Sequence, residues 1–202
     1  MSLEIEKVVF AGHTHHGIHF LGRILARAGM LAHREVTWLP PYGPIILAGN
    51  AYGTVILSTV EVGSPVVEVP DALVALNHHA FEKFNGRLKA GGLLLFDTSE
   101  VQAEDDQLRD DVRAIGVPSR EISPPEPGLI TPSLSLLGAY VACSKMVNLE
   151  LTIDSLKEIL RQEGLLTSSE FRINRRALER GAAYVGEKRY MFSRYRYAIF
   201  TG

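Results

Sequence analysis

Short β-prone runs alternate with stretches of helical spacing along this chain. Lys7 to Ala11 is a strand that ends at Gly12, and Ile18, Leu21, Ile24, Leu25 and Ala28 then recur at helical spacing between Gly17 and Leu31. Glu35 to Leu39 is a second strand, stopped by Pro40-Pro41 because proline has no N–H to give a ladder. After a loop from Tyr42 to Asn50 comes a β-branched strand, Gly53 to Thr59, and then a turn at Gly63-Ser64-Pro65. Leu73 to Asn77 is a candidate buried strand, Ala80 to Leu88 a short amphipathic helix ended by Ala90-Gly91-Gly92, and Leu93 to Phe96 an apolar strand. This interleaving predicts an α/β fold, a single three-layer domain with a mainly parallel sheet and helices on both faces. The first strand-to-helix loop, Gly12 to Gly17, is then the natural ligand position.

The second half is more polar. Glu100, Glu104, Asp105, Asp106, Asp110 and Asp111 crowd one window, which reads as a solvated face. Val112 to Ile115 together with Ser119 to Ile122 is expected to supply another edge strand, and Pro124 to Gly128 is too proline-dense for anything but a loop. Small residues among Leu137, Val141 and Ser144 suit a closely packed helix over Leu134 to Val147. Thr152 stands where a hydroxyl cap would open a helix over Ile153 to Leu160, and Ser168 to Tyr184 is a last helix. These elements place the domain at residues 1–187, followed by a basic and aromatic tail at 188–202, with no internal repeat.

Composition narrows the functional classes. The chain has 202 residues, 46% of them hydrophobic, enough for one sizeable core without a second domain. A net charge of -2 provides no field for nucleic acid or an anionic membrane surface. The apolar runs Pro44 to Ala48 and Val55 to Leu57 fall far short of the roughly 20 residues of a membrane span, and the first residues lack a signal layout. A cytoplasmic location is expected. The one cysteine, Cys143, cannot form an internal disulfide or by itself hold zinc or an iron–sulfur cluster, and is expected to be a small buried hydrophobe.

An ordered set of segments resembles a known family. They are Tyr42-Gly43-Pro44 after Trp38-Leu39-Pro40, Val62-Gly63-Ser64-Pro65-Val66-Val67, Pro70-Asp71-Ala72-Leu73-Val74-Ala75-Leu76-Asn77, Phe81-Glu82-Lys83-Phe84 and Leu88 to Leu95. Ile115-Gly116-Val117-Pro118, Leu137-Gly138-Ala139-Tyr140 and Asn174 to Gly181 extend the likeness to about residue 185. In order and spacing they resemble the gamma subunit of 2-oxoacid:ferredoxin oxidoreductases, and the Gly-Ser-Pro and Pro-Asp-Ala-Leu segments are most similar to the branch acting on 2-oxoglutarate or branched-chain 2-oxoacids. The resemblance implies a multi-subunit complex that converts a 2-oxoacid to an acyl-CoA, using thiamine diphosphate, iron–sulfur clusters and coenzyme A. It implies that the other subunits carry the thiamine diphosphate and that this chain alone binds no cofactor and is inactive. An isolated chain could form a homodimer.

Two loops depart from the family pattern. The first usually runs Gly-x-Gly-Gly-Gln-Gly, but here it is Gly12-His13-Thr14-His15-His16-Gly17. Glycines there permit positive φ and close approach to an anion, whereas β-branched Thr14 resists such conformations. In the second loop Tyr42-Gly43-Pro44 is followed by Ile45-Ile46-Leu47-Ala48-Gly49-Asn50, where the family commonly continues Glu-Met-Arg-Gly-Gly. Leu47 offers none of the donors of a guanidinium. One altered ligand site, or drift in a packing subunit, would explain both changes. The alternative is a stand-alone binding protein on the same scaffold, holding an anion or metal at the histidine loop. His15 and His19 are spaced i,i+4 if the helix starts early, with His13 and His16 close by, yet no carboxylate or cysteine accompanies them, and no metal is expected. No catalytic residue is assigned, since no Ser/His/Asp or Cys/His set has motif spacing. The tail from Lys188 to Phe200 alternates basic and aromatic residues, a composition suited to docking on a partner subunit. Single-stranded nucleic acid, or the domain's own core, are its other possible contacts.

Overall fold

The structure, a computed structural model, describes residues 4–42, 49–123 and 130–192, with residues 105 and 187–192 described by backbone alone. The strands are β1 (Ile5–His13), β2 (Glu35–Leu39), β3 (Asn50–Ser58), β4 (Ala72–Ala75), β5 (Leu93–Asp97) and β6 (Arg113–Val117). The helices are α1 (Ile18–Leu31), α2 (His78–Asn85), α3 (Ser119–Ile122), α4 (Thr131–Cys143), α5 (Leu149–Gln162) and α6 (Ser168–Phe192).

All six strands form one sheet in the order β2-β3-β1-β4-β5-β6. The β1–β4, β4–β5 and β5–β6 ladders are parallel, and β3 runs antiparallel to both β1 and β2, so the sheet is mainly parallel as expected. All four residues of β4 are buried, the mark of a central strand covered on both faces. Val8, Phe10, Val55, Leu57, Val74 and Leu95 point into the larger core with the inner faces of α1, α4, α5 and α6. Val9, Ala11, Leu73, Ala75, Leu94 and Phe96 point the other way, onto Phe81 and Phe84 of α2. Period-two alternation thus produces the three layers.

Several elements differ from expectation. Ser119–Ile122 is a short helix, not strand: it follows Pro118, Ser119 is fully buried, and the Glu121 and Ile122 N–H groups both donate to the Pro118 carbonyl. The edge strand is Arg113–Val117 alone. α5 starts earlier than Thr152, because Asn148 accepts from Leu151 N at 2.9 Å and is the cap; Thr152 is buried inside the helix and donates to the Asn148 carbonyl at 2.8 Å. α6 runs on through Glu187-Lys188 to Phe192. Cys143 is half-buried at the end of α4, with part of its surface against the larger core.

Helix α4 is buried on nearly every side. Towards α6 it has no side chain to spare: a Cβ on Gly138 would overlap the Leu178 carbonyl, and one on Gly181 would overlap the Ser135 carbonyl. At the carboxyl end of α4, Tyr140 Oη donates to Glu6 Oε1 at 2.6 Å and Ser144 Oγ to Glu6 Oε2 at 3.0 Å, tying the helix to β1. Burial raises the Glu6 carboxyl above its usual range despite these donors, and nearby Asp71 and Glu4 add to the rise.

Candidate functional site

In an open α/β sheet ligands bind beyond the carboxyl ends of the strands, where the chain's connections diverge. Here that point is β1/β4: the connection after β1 leads through α1 to β2 on one side, and that after β4 through α2 to β5 on the other. β1 ends in His13, and the register pairs His13 with Asn50 of β3.

The Gly12 to Gly17 loop is largely ordered structure. His13 is still strand, Thr14–His16 is one 3-10 turn, and only Gly17, with φ of 68°, takes the left-handed conformation before α1 begins. Thr14, which resists the left-handed conformation open to a glycine, is not asked to adopt it, because among the described non-glycine residues only His33 has positive φ. Gly17 is needed twice over, since a Cβ there would also lie 2.7 Å from Ile130 Cδ1. Gly17→Ala should cost about 1–2 kcal/mol of stability, from left-handed strain plus that contact, and urea unfolding will show it.

Gly12 serves a close approach instead. Its added Cβ would stand 2.7 Å from both His16 Nδ1 and Leu76 Cβ, so the His16 ring lies over bare backbone. His16 Nδ1 accepts from His13 N at 3.1 Å, which fixes the neutral tautomer with its proton on Nε2. Burial, then His15, His13 and Arg120, hold the His16 pKa down to about 4. The three rings lie together: centroid separations are 5.3 Å for His13–His15, 5.4 Å for His13–His16 and 4.4 Å for His15–His16. His19 is set apart against Trp38, at 4.9 Å, so the i,i+4 pairing with His15 is not what the fold assembles. Burial, then Arg23, keeps His19 below its usual pKa. His78 stacks on Phe81 and pairs with Glu82 of its own helix. Among the described residues no group of three His, Cys, Asp or Glu is placed to hold a metal.

The two divergent loops meet at this edge. Thr14 N donates to the Gly49 carbonyl at 2.8 Å, and Asn50 Oδ1 accepts from Asn77 Nδ2 at 3.0 Å. Tyr42 is exposed, and Gly43, Pro44 and Leu47 lie outside the described residues. Sequence reasoning missed Asn77, although an asparagine ahead of a helix is a common cap: it is buried, and its Oδ1 accepts from Ala80 N at 2.9 Å. It also missed Asp97, the polar end of an apolar strand. Buried Asp97 accepts from Ser119 Oγ at 2.5 Å, Ser119 N at 3.3 Å and Ser99 N at 2.9 Å, which joins the ends of β5 and β6. The next residue, Arg120, pairs with Glu100, and its charge reaches His16.

Comparison with known proteins identifies the scaffold. The family model described as pyruvate ferredoxin/flavodoxin oxidoreductase matches residues 7–184. The chain belongs to this family. Other relatives include the ketoisovalerate oxidoreductase subunit VorA of Methanothermobacter thermautotrophicus, 30% identical over 90% of this chain and 36% of that protein. The 2-oxoglutarate synthase subunit KorC of Methanocaldococcus jannaschii is 28% identical over 82% of this chain and 91% of that protein. The chain thus spans only about a third of this VorA and most of KorC. Among solved structures, the keto/oxoacid ferredoxin oxidoreductase gamma subunit of Geobacter sulfurreducens has the same fold, with a TM-score of 0.72 at 23% identity over 91% of this chain and 98% of that one. So does part of the 2-oxoglutarate:ferredoxin oxidoreductase of Magnetococcus marinus, at a TM-score of 0.74, 18% identity, 93% of this chain and 32% of that one. Family membership and fold therefore agree with the resemblance seen in the segments after Trp38.

Proposed function

We propose that this chain is the gamma-type subunit of a 2-oxoacid:ferredoxin oxidoreductase complex, one that converts a 2-oxoacid to its acyl-CoA. The observation that carries this reading is the family match across residues 7–184, nearly the whole layered domain. The chain's own chemistry points to partners. Its one cysteine, Cys143, is half-buried, and a single thiolate cannot hold a cluster, so iron–sulfur clusters belong on other subunits, as does thiamine diphosphate. The role of this subunit is architectural, with the Gly12 to Gly17 loop and Gly49-Asn50 forming one altered ligand contact. The names of its relatives favour 2-oxoglutarate or a branched-chain 2-oxoacid as substrate. Among the described residues no helix is long and apolar enough to cross a membrane, which suits a complex working in the cytoplasm.

Purification of the tagged chain from its own host tests the assignment. Subunits bearing thiamine diphosphate and iron–sulfur clusters should accompany it, and the eluate should reduce ferredoxin in a reaction needing both a 2-oxoacid and coenzyme A. Recovery of the chain alone, with that activity in a fraction lacking it, would favour the second reading, a stand-alone binding protein. The observation on that side is the grouping of His13, His15 and His16 at the switch point.

A further inference from the structure

We infer that His13, His15 and His16 form an oxyanion site that takes up a proton together with its ligand. The geometry is a cluster of three imidazoles with centroids 4.4 to 5.4 Å apart, His15 exposed and the other two half-buried. The charge around it is one-sided. The titratable groups acting on His16 are His15 and His13 from its own turn and Arg120 from α3, all basic. Glu100 faces Arg120 as its ion-pair partner, and Asn50 and Asn77, which flank the turn's strand, are neutral. Among the described residues no carboxylate acts on His16, and a cluster of imidazole donors of this kind suits an oxyanion, the chemistry shared by a phosphoryl group and a carboxylate.

The hydrogen bonding supplies the proton coupling. In the free chain His16 Nδ1 is an acceptor, occupied by His13 N–H, and burial, with His15, His13 and Arg120 adding to it, holds the ring neutral down to about pH 4. An oxyanion among the rings offsets the cost of a buried positive charge and the repulsion from its neighbours, and so raises the His16 pKa. Protonation turns Nδ1 from acceptor to donor and releases the His13 N–H, so one proton supplies two further donors to the ligand. Binding is accordingly tighter at lower pH, and the proton taken up at each pH is set by how far the bound pKa exceeds the free one.

The inference rests on the loop being a ligand position, as proposed above, but its test reads binding to the full chain alone and so fails or succeeds separately from co-purification. Inorganic phosphate and acetate are titrated calorimetrically between about pH 5.5 and 8, in two buffers of different ionisation enthalpy, with the imidazole signals followed by NMR. Expected is binding that strengthens as pH falls, with net proton uptake; preference for phosphate or for acetate identifies which source of oxyanion the site takes. His16→Asn keeps an acceptor for His13 N–H but cannot titrate, and should lose the proton uptake and weaken binding on the order of ten- to a hundredfold. Arg120→Gln should weaken binding while keeping the uptake. Failure of both anions to bind, or binding with unchanged proton uptake in His16→Asn, overturns the inference.

Discussion

Gly138→Ala and Gly181→Ala should each lower the unfolding free energy by about 3 kcal/mol, the upper part of the range for overpacked cores. The new methyl meets backbone, the Leu178 carbonyl in one case and the Ser135 carbonyl in the other, and backbone inside a helix cannot rotate away as a side chain can. α4 cannot retreat either. Leu134, Leu136, Leu137 and Val141 are buried, and a shift off the sheet would open space beneath them. The double variant should cost less than the sum, because one separation of α4 and α6 relieves both overlaps. Gly186→Ala is the control: it lies in the same helix α6 with nothing near its added Cβ, so it should gain roughly 0.5–1 kcal/mol from helix propensity alone. Urea unfolding followed by far-UV circular dichroism separates these cases, and losses below about 1 kcal/mol at both crossing glycines would mean that the helices are not so closely apposed.

The same crossing shows what sequence could and could not reveal. The small residues of Leu134 to Val147 signalled close packing, but the partner at Leu178 and Gly181 is forty residues downstream in a pattern that reads only as another helix. Strands β1, β4 and β5 were legible because their buried residues are contiguous and β-prone. The place of β3 between β2 and β1 was not, since a long-range antiparallel pairing leaves no local mark on Asn50 to Ser58. Ser119–Ile122 misled because four residues carry too little periodicity to separate helix from strand, and the Pro118 carbonyl that organises the turn acts through backbone. At the candidate site the histidines were visible as residues, and the family's glycine pattern marked the loop. Their grouping away from His19 depended on a 3-10 turn that only the tertiary contact of Thr14 N with the Gly49 carbonyl makes evident. Asn77 and Asp97 matter through partners 27 and 22 residues away, and separations of that kind carry no sequence period.

Asp97→Ala should be the other large loss, about 3 kcal/mol, because it strands the hydroxyl and N–H of fully buried Ser119 without an acceptor. Ser119 Oγ, Ser119 N and Ser99 N all converge on this carboxylate, and Ser119 itself is fully buried. Asp97→Asn keeps an acceptor for the two N–H groups and asks only that Ser119 reverse its hydroxyl, so its cost should be about 1 kcal/mol near neutral pH. The two variants also differ from wild type in pH dependence. Burial raises the Asp97 carboxyl above its ordinary value, and the bonds from Ser119 and Ser99 oppose this without cancelling it. A raised acid binds its proton more tightly folded than unfolded, so its contribution is fully present below the unfolded pKa and is lost as pH rises through the folded one. The contribution of Asp97 should therefore decline across that window and be absent from Asp97→Asn, while Glu6 adds a decline of the same sign and the lowered Glu158 and Asp111 act in the opposite direction. Because Arg120 follows Ser119 directly, Asp97→Ala should also shift the NMR signals of the His16 ring, whereas Asp97→Asn should leave them nearly in place. A wild type whose stability climbs relative to Asp97→Asn through the window would show that the ionised carboxylate is the better solvated form, and the joint between β5 and β6 would then be wetter than its burial indicates.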